Sequence, residues 1–182
     1  MARHSTRTKV HDAVLSLARE GAIGSITMEG VAGRAGISKQ TLYNSWSSTG
    51  EIIFDALLAR STDESGAVVI PDANDLGADL HDLATATIDE LTSPDLEPLL
   101  RAVTAEIQHD AELARQYREQ LLAPQLAAIA DRFRRAGADD PDGLAELFAG
   151  PILHRWLLRT HTFDAEWVSA HVDRVIRATS HT

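Results

Sequence analysis

The chain has 182 residues, with 17 Lys and Arg, 27 Asp and Glu, and a formal net charge of −10 at pH 7. This length suits one or two small domains with a proper core, and 44% hydrophobic residues is ordinary for a globular protein. The absence of cysteine excludes a disulfide framework, a thiolate nucleophile and a cysteine metal site. No apolar run is long enough to span a bilayer, and the N-terminal sequence lacks the apolar segment of a signal peptide, so a cytoplasmic location is expected.

The first predicted element is an amphipathic helix that ends near Glu20, where glycines follow. A basic, polar stretch precedes its apolar face and contains Arg3 and Arg7. Two interpretations of this stretch stay open. It is either an arm that follows the minor groove of DNA or a disordered tail.

The next two helices are short and are joined by a tight glycine turn. Thr27 is placed to cap the first of them, and Gly36 follows its last residue, where helices commonly end in a left-handed conformation. Ser38 is placed to cap the second, in which Leu42 points inward. This layout predicts a helix-turn-helix, whose second helix enters the major groove of DNA.

The polar side chains of this motif are the candidate DNA contacts. Gln40 and Asn44 can form paired hydrogen bonds with adenine, and Lys39 can reach phosphate or guanine. Hydroxyl groups at helix starts suit phosphate. The alternative is a polar helix that is merely solvated. The predicted DNA-binding residues are Thr27, Ser38, Lys39, Gln40, Thr41, Tyr43 and Asn44.

The rest of the chain is also predicted to be helical. Ser48 and Glu51 form the capping-box pattern S-x-x-E at the start of a fourth helix. Apolar residues at helical spacing continue to the C-terminus, with a bend expected at Pro124 in a long helix over about 111–136. The predicted fold is all-α, with about nine helices and no convincing strand.

The charge distribution agrees with a DNA-binding head. Residues 1–60 hold seven Lys and Arg against five Asp and Glu, a net charge of +2. The remaining residues hold ten basic and 22 acidic side chains, a net charge of −12. A basic head on an acidic body is typical of a protein that touches phosphate at one end only, although an excess of two charges is also within ordinary variation.

From Thr27 to Glu51 the chain resembles the tetracycline-repressor (TetR) family of transcription regulators. The shared pattern is a threonine, V-A, A-G-I-S, T-L-Y, the aromatic Trp46 and a capped helix. Two positions depart from it. Thr49 stands where the family usually has a lysine, which puts one phosphate contact in doubt, and Ser45 stands where it usually has histidine, tyrosine or arginine. The resemblance implies a three-helix DNA-binding domain (residues 1–47) and a helical domain for ligand binding and dimerisation (residues 48–182).

The resemblance also implies a homodimer and a small-molecule pocket in the body. The last two helices carry large apolar residues on more than one face, which favours a second partner over burial within one chain. The predicted dimer-interface residues are Phe148, Ile152, Trp167, Val168, Val172 and Ile176. The candidate pocket residues are polar or aromatic groups set among apolar ones, with ordinary core or surface positions as the alternative: Gln108, His109, Tyr117, Leu121 and Trp156.

One pattern points to a different class of function. Glu106 and His109 form an E-x-x-H, which di-iron helical bundles use in pairs together with two further glutamates. Only one such pattern occurs, so chance explains it better than a metal enzyme. No catalytic residue, metal or cofactor is expected.

The predicted function is a ligand-responsive transcription regulator of the repressor type, which a small molecule releases from its operator. Its expected partners are palindromic double-stranded DNA, a second copy of the chain and an effector whose identity the sequence leaves open. No membrane partner is expected.

Overall fold

The computed structural model describes residues 4–21, 24, 26–61, 70 and 72–179. These residues form helices joined by turns and loops, with no strand among them, which confirms the predicted fold class. No helix in this part of the chain is long and apolar enough to cross a membrane. The helices are α1 (His4–Arg19), α2 (Met28–Ala35), α3 (Lys39–Tyr43), α4 (Thr49–Ser61), α5 (Leu76–Thr92), α6 (Glu97–Glu106), α7 (Ala111–Tyr117), α8 (Ala123–Arg135), α9 (Pro141–Leu158) and α10 (Ala165–Thr179).

A π-helical turn over Arg118–Leu122 connects α7 to α8. Pro124 follows this turn, and proline has no N–H for the carbonyl four residues earlier, which its ring also crowds. A locally widened helix relieves that conflict. The long helix predicted over about 111–136 is therefore found as α7, the π turn and α8. If α7, the π turn and α8 are counted as one segment, the described part of the chain has nine helical segments.

The described residues fall into two compact units. The first unit lies within Met1–Ser61 and Ser93–Arg118, and the second within Thr62–Thr92 and Glu119–Thr182. In the first, α1 packs on α2 and α4, and α4 packs on α6 and α7. In the second, α9 packs on α8, α5 and α10. The two packing units do not coincide with the predicted functional domains, which divide at residue 47/48, because α4 and α6 belong to the same unit as α1–α3. The functional division stays a prediction.

Local sequence explains where the helices begin. Asp110, Asp140 and Asp164 each precede a helix and accept a backbone N–H three residues on, at 2.9, 3.0 and 2.7 Å. Pro141 then takes the first position of α9, where its missing N–H would be unpaired in any case.

Candidate nucleic-acid interface

The α2–turn–α3 motif has the local geometry that its sequence predicts. Thr27 Oγ1 accepts the Gly30 N–H at 3.0 Å, and Ser38 Oγ accepts the Thr41 N–H at 3.1 Å. Gly36 ends α2 at φ 65° and ψ 36°, the left-handed region that glycine adopts without strain. Leu42 is completely buried and anchors α3 to the unit. The predicted caps, turn and anchor are therefore confirmed.

The start of α4 differs slightly from the predicted capping box. Ser48 Oγ accepts the Glu51 N–H at 3.2 Å, as expected. Glu51 Oε2, however, accepts the N–H of Ser47 at 2.6 Å, one residue before the cap. The carboxylate thus orders the turn that leads out of α3 as well as the helix that follows.

All seven candidate DNA contacts are exposed. Tyr43 is 55% exposed although its side chain is large and aromatic. The exposed set lies at the N-terminus of α2 and along α3, around the single buried residue of α3, Leu42. A five-residue helix with one buried anchor presents nearly its whole length to the outside.

The cations near this face are engaged in ion pairs. Lys39 Nζ lies 2.5 Å from Glu29 Oε1, and Arg34 forms a bidentate pair with Glu20 at 2.6 and 2.7 Å. These pairs lower the pKa values of both carboxyl groups, mainly through the hydrogen bonds from Lys39 and Arg34. Each of these two cations is thus held by a carboxylate, and the other candidate contacts on the exposed face are neutral polar groups.

The predicted N-terminal arm is wrong for Arg7. This residue lies in the first turns of α1, and its guanidinium binds the Asp55 carboxylate of α4. An ion pair across two packed helices holds the side chain, so it is not free to follow a groove. Arg3, the other residue of that prediction, lies outside the described residues.

A polar cluster around Asp55 was not predicted from the sequence. Asp55 accepts hydrogen bonds from Arg7 and His11 of α1 and from the Trp46 indole after α3. The donors lie 48, 44 and nine residues away in sequence, so no local pattern identifies the cluster. The only sequence signal was Trp46, noted for the family resemblance and not for its hydrogen bond.

Four of the predicted dimer-interface residues are not exposed in the single chain. Phe148, Ile152, Val168 and Val172 are buried within a single chain, in the core of the second unit. In α9 apolar residues lie on all sides, so the pattern gives no signal for which side faces inward, whereas α10 is amphipathic and Val168 and Val172 lie on its one apolar face. Packing of α9 on α8, α5 and α10, and of α10 on α5, covers these side chains within the single chain.

The other two predicted interface residues are partly exposed. Trp167 stacks on His171, with ring centroids 5.0 Å apart and planes at 11°, and the Arg155 guanidinium lies 4.8 Å from its centroid. Ile176 is half-buried on the same helix, α10. Neither position decides whether a second copy binds there, so both stay predictions.

The candidate pocket residues separate into two groups. Leu121 and Trp156 are buried in the second unit. Gln108 and His109 are exposed in the turn after α6, and this corrects the expectation that they lie among apolar groups. Tyr117 of α7 is half-buried with its ring 5.9 Å from that of Phe54 in α4. Gln108, His109 and Tyr117 all lie in the first unit, whereas Leu121 and Trp156 lie in the second.

The region of Glu106 and His109 forms no metal centre in the described part of the chain. No group of three or more His, Asp or Glu side chains there is arranged to hold a metal ion. The Glu106 side chain instead packs on Gly50 of α4, where an added Cβ would stand 2.6 Å from Glu106 Cγ. This contact explains why a glycine is suited to the second position of α4.

Comparison with known proteins connects this geometry to a family. The family model described as "Tetracyclin repressor-like, C-terminal domain" matches residues 70–175. The chain is 28% identical over 159 residues to YdeS of Bacillus subtilis, an uncharacterised HTH-type transcriptional regulator, covering 81% of this chain and 78% of YdeS. It is 33% identical over 79 residues to the HTH-type transcriptional regulator AqdR of Rhodococcus erythropolis, covering 43% of this chain and 37% of AqdR.

Solved structures share the fold along nearly the whole chain. The TetR-family transcription regulator SCO0332 superposes with a TM-score of 0.77 at 29% identity, covering 96% of this chain and 98% of that one. A TetR-family regulator from Pseudomonas syringae pv. tomato gives 0.62 at 20% identity, covering 98% and 96%, and supports the fold alone. Together with the family match and the helix-turn-helix, these comparisons show that the chain belongs to the TetR family of DNA-binding transcription regulators, which are not enzymes.

Proposed function

We propose that this regulator is a ligand-responsive repressor that binds a palindromic operator as a homodimer, with the exposed face of α3 in the major groove. The observation that carries the proposal is the joint exposure of all seven predicted contacts on a motif whose caps and turn have the expected geometry. In this proposal residues 1–47 form the DNA-binding domain, and residues 48–182 form the domain for dimerisation and ligand sensing.

The chemistry of the proposed contacts is mostly neutral. Gln40 and Asn44 offer amide groups that can pair with adenine, and Tyr43 offers a hydroxyl to the phosphate backbone. The N-capping hydroxyl groups of Thr27 and Ser38 lie at helix starts, where backbone N–H groups and helix dipoles favour phosphate. Lys39 can contribute a charged phosphate contact only by leaving Glu29.

The outer face of α9 supports the homodimer. Among the described residues five large hydrophobic side chains are exposed, and one of them is Tyr43. The other four lie on α9: Leu147, Leu153, Leu157 and Leu158. Several large apolar side chains exposed on one helix are typical of a protein interface. We therefore move the proposed interface from the buried residues of α9 and α10 to these leucines and keep Trp167 and Ile176 of α10 as partly exposed candidates.

A two-fold dimer explains how the regulator would select its site. The same surface patch on two copies produces a two-fold axis, and two α3 helices related by that axis require a two-fold-related DNA sequence. The proposed DNA target implies a location where chromosomal DNA is found, in agreement with the expected cytoplasmic location.

The proposed release mechanism is a shift between two populations. An effector that binds better to the form whose α3 spacing mismatches the operator lowers DNA affinity by the ratio of its two affinities. Leu121 and Trp156 are the pocket candidates that combine an apolar or aromatic side chain with burial in the second unit. Sensing of a small molecule is typical of the family.

Selection of duplexes from a random-sequence library with the full chain tests the DNA part of this proposal. The expected product is a palindromic site that the wild type binds more tightly than random duplex. Gln40→Ala should lose about 1–3 kcal/mol on that site and relax the preference at one base pair. Gln120→Ala, an exposed glutamine of the π turn, is the matched control. Failure of the wild type to enrich any sequence would refute the proposal.

A screen of small molecules against the wild-type complex tests the sensing part. A true effector lowers operator affinity, and the operator lowers effector affinity by the same factor. An effector whose binding is unaffected by saturating operator would contradict the population-shift mechanism.

A further inference from the structure

The carboxylate of Asp55 joins three parts of the first unit. From its place in α4 it accepts Arg7 Nε at 2.8 Å, His11 Nε2 at 3.0 Å and Trp46 Nε1 at 3.1 Å, all on Oδ2, while a second Arg7 nitrogen reaches Oδ1. Its side chain is only 13% exposed. A carboxylate that is largely removed from water needs such donors, and here they come from α1 and from the segment after α3.

Trp46 connects Asp55 to α3. Its backbone N–H donates to the carbonyl of Leu42 at 3.0 Å, which ties the residue to the buried anchor of α3. Its ring is buried, with 6% of the residue exposed. A continuous series of hydrogen bonds therefore runs from α4 through Asp55 and Trp46 to the C-terminal end of α3.

Arg7 and His11 bring α1 to the same carboxylate. The two residues are four apart in α1, one helical turn, so both side chains lie on one face. Asp55 is thereby a common acceptor for the helix before the motif and for the segment after it. The other head ion pairs are of a different kind, because Arg34–Glu20 and Lys39–Glu29 each join two exposed side chains.

Asp55 stays charged in this setting. Burial raises the pKa of its carboxyl group, but the hydrogen bonds and positive charges of His11 and Arg7 outweigh burial and hold the pKa below its ordinary value. At neutral pH the group is a carboxylate and accepts from all three donors at once. Hydrogen bonds to a charged acceptor are stronger than neutral ones.

We infer that Asp55 is a positioning residue for DNA recognition: it sets the angle of α3 through Trp46 and itself makes no contact with DNA. The inference rests on the proposed function, in which α3 enters the major groove. The buried Leu42 and the packed Trp46 ring supply the apolar contacts that anchor α3. The hydrogen bond of the indole N–H therefore fixes the orientation of the ring and of α3. Base-specific contacts require the side chains of α3 to be held in register with the base edges, whereas the electrostatic attraction to phosphate that dominates binding to random sequence does not depend on that register.

The test compares Trp46→Phe and Asp55→Asn with the wild type on two probes. The probes are the duplex selected by the wild type and a random-sequence duplex of the same length, measured by fluorescence anisotropy at fixed salt. Trp46→Phe retains a buried aromatic ring and removes the N–H donor together with one of the two fused rings, so its stability is measured beside its DNA affinity. Both variants are expected to bind the selected duplex roughly tenfold more weakly and the random duplex unchanged. The double variant should bind the selected duplex no more weakly than the weaker-binding of the two single variants, because both changes break one series of bonds.

Asp95→Asn is the matched control. It removes the same charge from an exposed ion pair, Arg19–Asp95 at 2.9 Å, which has no link to α3. It should leave both affinities unchanged.

The outcomes separate the inference from the proposed function. If the wild type selects no duplex, the proposed function fails. If the wild type selects one and Trp46→Phe keeps the full ratio between the two probes, Asp55 does not position α3 and the inference is overturned. A purely structural role predicts equal losses on both probes, in proportion to the unfolded fraction measured by circular dichroism, and that result also overturns it. Should Asp55→Asn fail to fold, Trp46→Phe alone decides.

Discussion

Lys39 Nζ lies 2.5 Å from Glu29 Oε1, so the first residue of α3 is ion-paired with the first turn of α2. Both side chains are more than half exposed. A cation that is to bind a DNA phosphate must first leave this carboxylate, and Glu29 itself repels phosphate. The pair therefore weakens the electrostatic part of DNA binding, which does not depend on base sequence.

Glu29→Gln is accordingly expected to increase affinity for DNA. Binding to a random-sequence duplex should tighten by up to roughly fivefold, the ceiling for freeing one exposed ion pair. The slope of log affinity against log salt concentration should become steeper by about 0.9, the value for one additional phosphate contact. Anisotropy titrations between about 50 and 200 mM salt would measure both quantities.

Two variants make that prediction specific. Glu112→Gln changes the net charge equally but opens an exposed pair with Arg115 on α7. Lys39→Gln removes the cation that Glu29 holds. Equal gains from Glu29→Gln and Glu112→Gln, or a gain that persists in the Lys39→Gln background, would show that Glu29 does not act through Lys39.

The exposed leucines of α9 lead to a prediction about assembly. Leu157→Glu places a charge in the middle of the proposed interface and should convert the homodimer to monomer without unfolding it, because residue 157 is exposed in the single chain. Sedimentation velocity over a concentration series measures the change. Ala86→Glu, at an exposed position of α5, should leave the oligomeric state as it is in the wild type. A dimer that survives Leu157→Glu unchanged would argue against this face.

A buried ion pair in the second unit should be strongly sensitive to the loss of one partner. Arg132 binds Asp79 at 2.8 and 2.7 Å, and their side chains are only 5% and 3% exposed. Arg132→Met should lower the free energy of unfolding by about 3 kcal/mol or more, because it leaves a buried carboxylate without its cation. Urea denaturation measures the change.

The control for this variant is two residues away. Arg134→Met breaks an exposed pair with Asp131 and should change stability by no more than about 0.5 kcal/mol. Adding Asp79→Leu to Arg132→Met should recover much of the loss, since an apolar pair avoids the unpaired charge. Equal effects of the two arginine substitutions would contradict the assigned burial.

His171 is expected to make the stability of the fold depend on pH. Burial lowers its pKa, the hydrogen bond from Nε2 to the Phe148 carbonyl (2.9 Å) partly opposes this, and Arg174 adds to the lowering. The folded state therefore favours the neutral ring. Its contribution is fully present above the unfolded pKa of about 6.5 and is lost as pH falls from there toward the lower folded pKa.

Melting temperatures between about pH 7.5 and 5.5, an interval that brackets the ordinary histidine pKa, would measure this effect. The wild type should lose stability over that interval, and His171→Gln should flatten the dependence. His154→Gln, at an exposed position of α9, should keep the wild-type slope. A His171→Gln profile parallel to that of the wild type would mean that another group is responsible.

The two predicted sites differ in how much of them could be read from the sequence. The exposed face proposed to bind DNA was predictable, because the caps at Thr27 and Ser38 and the left-handed Gly36 act over three or four residues, and Leu42 is the one apolar side chain in the middle of a short polar helix. The face proposed to form the dimer was not predictable. Phe148 and Leu147 are adjacent and both apolar, yet one is buried and the other is exposed.

By itself, then, the sequence determined the helices, their boundaries and the motif that identifies the family, since each depends on backbone hydrogen bonds and caps between near neighbours in the chain. Only the tertiary structure decided that Asp55 gathers Arg7, His11 and Trp46, that Glu29 holds Lys39, and which side of α9 stays open. The physical reason is that packing brings these groups together. Charge partners on different helices, and the choice of buried face on a helix that is apolar all round, depend on how helices lie against one another and leave no periodic trace in the chain.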